Sequence, residues 1–358
     1  MSSNLNPYQK TQSRKRFGGA LRGGGVYALR LALCAGLLAS VACTEALDPL
    51  CPTIDDGVCD ELLSCALGTD EADCVQACDS ALDIRSAGPC AHRLVEEDIT
   101  LLDPLASEGA GGAIGSWDGT VVVRGADSDE QVTRHFRVYV PESYHPEEPM
   151  PVLFNLGGFQ VDLYFLGEYT ELNRTADLND FIVVYGQPEW RDFGSYWVFA
   201  WYVYKNAWQG NWVDNPDLEY LEAVYEEVAG RYNTDRSRTY VTGHSRGGAM
   251  SIISSFELPE LFAGACSQAG FVESNDYGAR LANRTEKAQP AVHLVHGIKD
   301  PDVGVSNSDD IEEILVDKGW VEGENFRYDR IKKVTHEWQM QLNQELWDFL
   351  SPHQVGAP

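Results

Sequence analysis

The run Arg238-Thr239-Tyr240-Val241-Thr242-Gly243-His244-Ser245-Arg246-Gly247-Gly248-Ala249-Met250 changes character twice within thirteen residues. Arg238 to Thr242 carries β-branched and aromatic residues and reads as a buried strand. Gly247 to Phe256 reads as a helix. Between them the glycines permit a sharp turn and keep neighbouring side chains away. Such a strand–turn–helix would lift Ser245 Oγ clear of the sheet.

The segments around this one alternate in the same way. Thr120–Arg124 and Val132–Pro141 form an expected hairpin. Met150–Asn155 and Phe181–Tyr185 are short apolar runs fit for buried strands. Asn215 caps a helix that opens at Pro216, with Leu218, Leu221, Val224 and Val228 on one face. Ala291–His296 and Phe326–Ile331 are expected strands; Asp309–Lys318 and Glu337–Leu350 are expected helices. The order predicts an α/β fold with a mostly parallel sheet and helices on both faces.

Two further sites follow later strands. His296-Gly297-Ile298-Lys299-Asp300-Pro301 places Asp300 where an acid would orient a histidine, with Asp302 as its rival. Val334-Thr335-His336-Glu337-Trp338 places His336 between the last strand and the last helix. His353 lies beyond that helix, and His244 precedes the acid in the chain, so both fit the role of base less well. The string beginning at His336 lacks the second histidine of a zincin helix. The chain order Ser, Asp, His is that of α/β-hydrolases.

From about residue 119 to residue 350 the chain resembles the polyhydroxybutyrate-depolymerase and feruloyl-esterase group of α/β-hydrolases. The strings that carry the resemblance are Arg137-Val138-Tyr139-Val140-Pro141, the run from Tyr240 to Met250, Pro259-Glu260-Leu261-Phe262-Ala263-Gly264 and His296-Gly297-Ile298-Lys299-Asp300. The resemblance implies an α/β-hydrolase fold and a catalytic triad of Ser245, Asp300 and His336. It implies an oxyanion loop after the strand Pro151–Asn155, with the amides of Gly158 and Arg246 as donors. Members of the group usually carry His-Gly there; this chain has Leu156-Gly157-Gly158. The implied chemistry is acyl transfer on carboxylic esters, of the feruloyl- or acetyl-polysaccharide or polyhydroxyalkanoate type, with no cofactor needed for catalysis. On sequence alone a second class stays open: a cell-surface binding or adhesion protein with a retired hydrolase fold and a calcium-binding module.

Ten aromatic residues crowd between Trp190 and Trp212, without helical periodicity. Some of these rings are expected to line the cleft, because flat rings stack on aryl and pyranose faces. Trp197 and Trp201 are the substrate-binding candidates.

The N-terminal region carries an address. Six basic residues and no acid precede Glu45, and Leu31–Ala42 is a short apolar segment before Cys43. That is the layout of a secretory signal. Ala39-Ser40-Val41-Ala42-Cys43 is similar to a bacterial lipobox, which would make Cys43 a lipidated N-terminus; ordinary cleavage after Ala42 would leave a secreted protein. Thr44 follows, not the Asp that retains lipoproteins at the inner membrane, so the outer membrane is the favoured destination. The lipid would be the chain's only tie to a membrane. Cys51, Cys59, Cys65, Cys74, Cys78 and Cys90 then read as three disulfides in an exported module. Its interleaved acids, Asp60, Asp70 and Asp73 among them, resemble the small calcium-binding cysteine repeats of Notch and LDL-receptor type and imply a structural calcium; a knot with a merely acidic surface is the alternative.

The expected organisation is a signal over 1–42, a tether over 43–50, the cysteine-rich module over 51–90, a flexible linker over 91–117 and the catalytic domain over 118–352. The whole chain has 358 residues and a formal charge of −28, which disfavours nucleic acid as a partner. At 44% hydrophobic residues it can bury a substantial core.

Overall fold

The computed structural model describes residues 106–125, 131–193, 197–205, 211–273, 276–285 and 289–356; within these, the side chains of Asp192 and Trp197 are not described. The expected signal, Cys43 and the cysteine-rich module with Asp60, Asp70 and Asp73 lie outside the described residues.

Eight strands form one sheet: β1 (Gly115–Arg124), β2 (Gln131–Val140), β3 (Met150–Leu156), β4 (Ile182–Gly186), β7 (Thr234–His244), β8 (Gly264–Gln268), β9 (Ala291–Gly297) and β10 (Phe326–Ile331). Their spatial order is β1-β2-β4-β3-β7-β8-β9-β10. The pairs β1/β2 and β2/β4 are antiparallel, and every pair from β4 to β10 is parallel. This is the α/β-hydrolase fold, with a parallel centre and an antiparallel hairpin at one edge. The short hairpin β5 (Trp190–Asp192) and β6 (Trp197–Phe199) stands apart from the sheet.

The central strands are buried on both faces, and their side chains alternate between two cores. Val152, Phe154 and Leu156 of β3 join one core, with α3 (Pro216–Arg231), α4 (Arg246–Glu257) and α6 (Ser306–Asp317). Leu153 of the same strand joins the other, with α1 (Leu163–Thr170), α2 (Leu172–Asn179) and α7 (Asn343–Leu350). The helix α5 (Tyr277–Ala282) packs Leu281 into the first core. The α3 cap is as expected: the Asn215 side chain accepts from Asp217 N, Pro216 opens the helix, and Leu218, Leu221, Val224 and Val228 are buried. No helix among the described residues is long and apolar enough to cross a membrane.

The helices α1, α2 and α5 and the β5/β6 hairpin are additional to the expected elements, and three further stretches differ from the sequence reading. The final helix begins at Asn343, not at Glu337. The amides of Trp338 and Gln339 donate to Tyr169 Oη and Gln268 Oε1, so they are spent outside a helix. Strand β8 was not expected, because Gly-Ala-Cys-Ser-Gln lacks β-branched and aromatic residues. The end of the expected flexible linker is tied to the domain. Ser107 Oγ lies within hydrogen-bonding distance of the carbonyls of Ala229 and Tyr232, and Gly111 N donates to Arg231 O. A Cβ on Gly109 would stand 2.3 Å from Tyr232 O, so that glycine serves a close approach rather than flexibility.

Candidate active site

Strand β7 ends at His244 and α4 begins at Arg246, which leaves Ser245 alone at the turn. Ser245 has φ 58° and ψ −118°, a conformation that L-residues rarely adopt. Two hydrogen bonds hold it: Ser245 N donates to Gln268 O at 2.9 Å, and Ser245 O accepts from Ala249 N at 3.0 Å. The turn demands its glycines. A Cβ on Gly247 would stand 1.9 Å from Leu156 O, and one on Gly243 would stand 2.4 Å from Gly247 C. The strain is thus imposed by a backbone that closes too tightly for any other residue at these positions.

Asp300 follows β9, with its side chain fully buried. Its Oδ1 accepts from the amides of Asp302 and Val303, each at 2.9 Å, and its Oδ2 lies 2.7 Å from His336 Nδ1. Burial pushes the carboxyl pKa up, but the hydrogen bonds from His336 and from the two amides outweigh it, and the group ends below its ordinary value. An ionised carboxylate can only accept, so His336 carries its hydrogen on Nδ1 and leaves Nε2 as a proton acceptor. The His336 loop is pinned by the Tyr169 and Gln268 contacts of the next three residues.

Two histidines support this dyad. His296 Nε2 lies 2.8 Å from Val303 O, where it must donate, and its Nδ1 lies 2.6 Å from Ser308 Oγ. It thereby holds the loop whose amide bonds Asp300. His244 packs its ring on His336, with centroids 4.7 Å apart, and meets Tyr169 edge-on at 5.9 Å. Burial, then the neighbouring His336, pushes the His244 pKa down to about 3, so it stays neutral near neutral pH. The rival histidine His353 packs on Phe349 past α7 and does not line the cleft.

Ser245, His336 and Gly158 border one cleft of about 570 Å³. A Cβ on Gly158 would stand 3.3 Å from Ser245 Cβ, so the loop after β3 runs directly beside the serine. Phe159, Phe165, Tyr169, Tyr204 and Phe271 also line the cleft. The Arg246 guanidinium lies 5.0 Å from the Phe159 ring centroid, 5.2 Å from that of Tyr204 and 5.8 Å from that of Phe193. Phe165 is exposed, and so is Phe193, which meets Phe159 edge-on with centroids 5.7 Å apart.

Trp201 corrects the sequence reading. Its ring is 0% exposed, so it cannot touch a substrate. Its Nε1 donates instead to Gly157 O at 2.8 Å. Trp197 lies on the backbone of β6, and its side chain is outside the described residues. Among the described residues of the aromatic stretch, Tyr204 lines the cleft. The sequence reading gave no role to Phe159, Phe165, Tyr169, Phe271, Gln268 or His296. The first five sit in no motif; His296 opens the string that ends at Asp300, and that was its one signal.

Asp300, Asp302 and His336 bring side-chain donor atoms within 4.8 Å of one another, a spacing that a metal ion would accept. Both Asp300 oxygens are already committed to His336 and two amides, so this donor set does not fit a metal without breaking the dyad.

The Esterase family model matches residues 131–349. The chain belongs to that family, which is one of carboxylic ester hydrolases. A curated relative, the bifunctional acetylxylan esterase/xylanase XynS20E of Neocallimastix patriciarum, is 26% identical over 167 residues. That match covers 47% of this chain and 21% of the relative, so the chain spans about a fifth of its length. Among solved structures, an S-formylglutathione hydrolase from Agrobacterium tumefaciens aligns with a TM-score of 0.51 at 17% identity, over 69% of this chain and 98% of that one. A ferulic acid esterase aligns with a TM-score of 0.50 at 14% identity, over 66% and 98%. These two likenesses show the fold.

Proposed function

We propose that the chain is a serine esterase that works through an acyl-enzyme, with Ser245 as nucleophile, His336 as base and Asp300 as the acid that orients it. One observation carries the reading: a strained serine at a strand–helix turn shares a cleft with a histidine whose Nδ1 is held by a buried carboxylate. His336 Nε2 takes the proton of Ser245 Oγ as the oxygen attacks the ester carbonyl. The amides of Gly158 and Arg246 receive the oxyanion. The tetrahedral intermediate collapses, and His336 returns the proton to the departing alcohol. Water then repeats the sequence on the acyl-enzyme and releases the acid. Asp300 stays ionised throughout and stabilises the imidazolium.

Acylated polysaccharides are the proposed substrates, with feruloyl or acetyl groups on sugar, and polyhydroxyalkanoate-type polyesters next. The acetylxylan esterase relative and the aromatic lining of the cleft support the first. Export, with Cys43 lipidated or the chain secreted, and a calcium in the module of Asp60, Asp70 and Asp73 rest on the sequence alone.

The test is Ser245→Ala in the full chain, assayed on p-nitrophenyl acetate, methyl ferulate and acetylated xylan. Turnover should fall by roughly 10⁴-fold or more. Near-normal turnover in that variant would end the reading.

A further inference from the structure

Trp201 and Gly157 are joined by a hydrogen bond that bears on a group neither of them contains. The indole Nε1–H of Trp201 donates to Gly157 O at 2.8 Å. That carbonyl and the N–H of Gly158 belong to one peptide unit, and in a trans peptide they point in opposite directions from the same plane. An indole that holds the carbonyl therefore sets the direction of the amide.

The indole is itself firmly held. A Cβ on Gly186 would lie 3.2 Å from its ring. Its neighbour Tyr202 donates N–H to Asp217 Oδ2 at 2.6 Å, and Tyr202 O accepts from Asn215 Nδ2 at 2.8 Å. Asp217 is paired in turn with Arg134 at 2.7 Å, with both side chains buried. The chain of contacts thus runs from a buried ion pair to the peptide beside Ser245.

We infer that Trp201 is a positioning residue for the oxyanion donor: its N–H aims the Gly158 amide at the reacting carbonyl without touching substrate. The inference rests on the esterase reading above. Leu156-Gly157-Gly158 has no side chain able to brace its own peptide, and the brace arrives from across the fold.

Without the indole donor, Gly157 O would be buried with one partner fewer, and the peptide would be free to rotate toward another. Rotation would carry the Gly158 N–H away from the oxyanion. The loss would appear in the transition state and not in substrate binding.

The experiment compares the full chain carrying Trp201→Phe, or 3-benzothienylalanine at position 201, with wild type and with Ser245→Ala. The benzothienyl side chain keeps the shape of indole and lacks only the N–H, which covers the case in which the phenylalanine variant fails to fold. On p-nitrophenyl acetate, kcat should fall by about 10- to 100-fold while KM stays within about threefold. Affinity for a trifluoromethyl ketone, which binds as an oxyanion, should fall in parallel. Affinity for acetate, the product acid, should not change. Wild-type kcat in the benzothienyl variant, with Ser245→Ala inactive, overturns the role of Trp201 alone. Activity in Ser245→Ala overturns the esterase reading beneath it.

Discussion

Lowering the pH should destabilise this protein through His244, a histidine outside the proposed triad. His244 is buried beside Ser245, against the ring of His336 and the edge of Tyr169, with Asp300 and His296 as its other charged or titratable neighbours. Burial first, and His336 second, pushes its pKa from the ordinary 6.5 down to about 3. The folded state therefore refuses a proton that the unfolded state accepts. Between those two values the unfolded chain binds more protons, so stability rises with pH and is lost as pH falls. At about pH 4.5 the deficit spans about two pH units, which corresponds to roughly 3 kcal/mol. For a domain of this size that lowers Tm by roughly 6–12 °C. The assay is Tm from pH 7.5 to 4.5 for wild type and for His244→Phe, which retains a ring and cannot titrate. His293, His296 and His353 are also lowered by burial and contribute to both curves. The difference between the curves isolates His244: the wild type should lose stability more steeply, by about 1.4 kcal/mol per pH unit. Parallel curves would refute the account of His244 as a buried neutral base.

Asp300→Asn should keep the fold and lower kcat by about 10⁴-fold, because an amide cannot stabilise the imidazolium and can present its NH₂ to His336 Nδ1, reversing the tautomer; a kcat within tenfold of wild type, in a variant of unchanged Tm, would count against Asp300 as the orienting acid. Asp217→Ala should cost about 3–5 kcal/mol, since it leaves Arg134 buried without its partner. The double variant Arg134→Met/Asp217→Leu should recover part of that loss, and equal destabilisation by urea unfolding in the two variants would argue against a buried-charge penalty.

The parts of the fold that were legible in the sequence are those whose cause is local. Asn215-Pro216 announces the start of α3 because a cap and a prolyl first turn act within a few residues. Strands β3 and β9 are legible because two-sided burial requires a largely apolar run, and β10 because Phe326 and Tyr328, both buried, alternate along it. Strand β8 is equally buried yet was invisible: it packs between β7 and β9, where Gly264 must pass close to Ala291, and small residues satisfy that contact better than β-branched ones. The start of the last helix was misplaced for a related reason. Glu337-Trp338-Gln339 has helical spacing, but Tyr169 and Gln268, remote in sequence, take the amides.

The same division explains what could be read of the candidate site. Ser245, Asp300 and His336 stand at turns after strands, and strand order brings such turns to one edge of a parallel sheet; Asp300 and His336 meet there at 2.7 Å. The aromatic stretch offered no such guide, because a ring in a cleft and a ring in a core have the same composition. Its rings were sorted by hydrogen bonding instead. Trp201 is drawn inward because its N–H finds a carbonyl left over by a turn of glycines, whereas Tyr204 borders the cleft beside the cation of Arg246. Glycine poses the same ambiguity. Gly109 in an expected linker and Gly247 in an expected turn both lie against backbone that a Cβ would strike. Neither is there for mobility, and in each case the reason is a carbonyl more than eighty residues away in the chain.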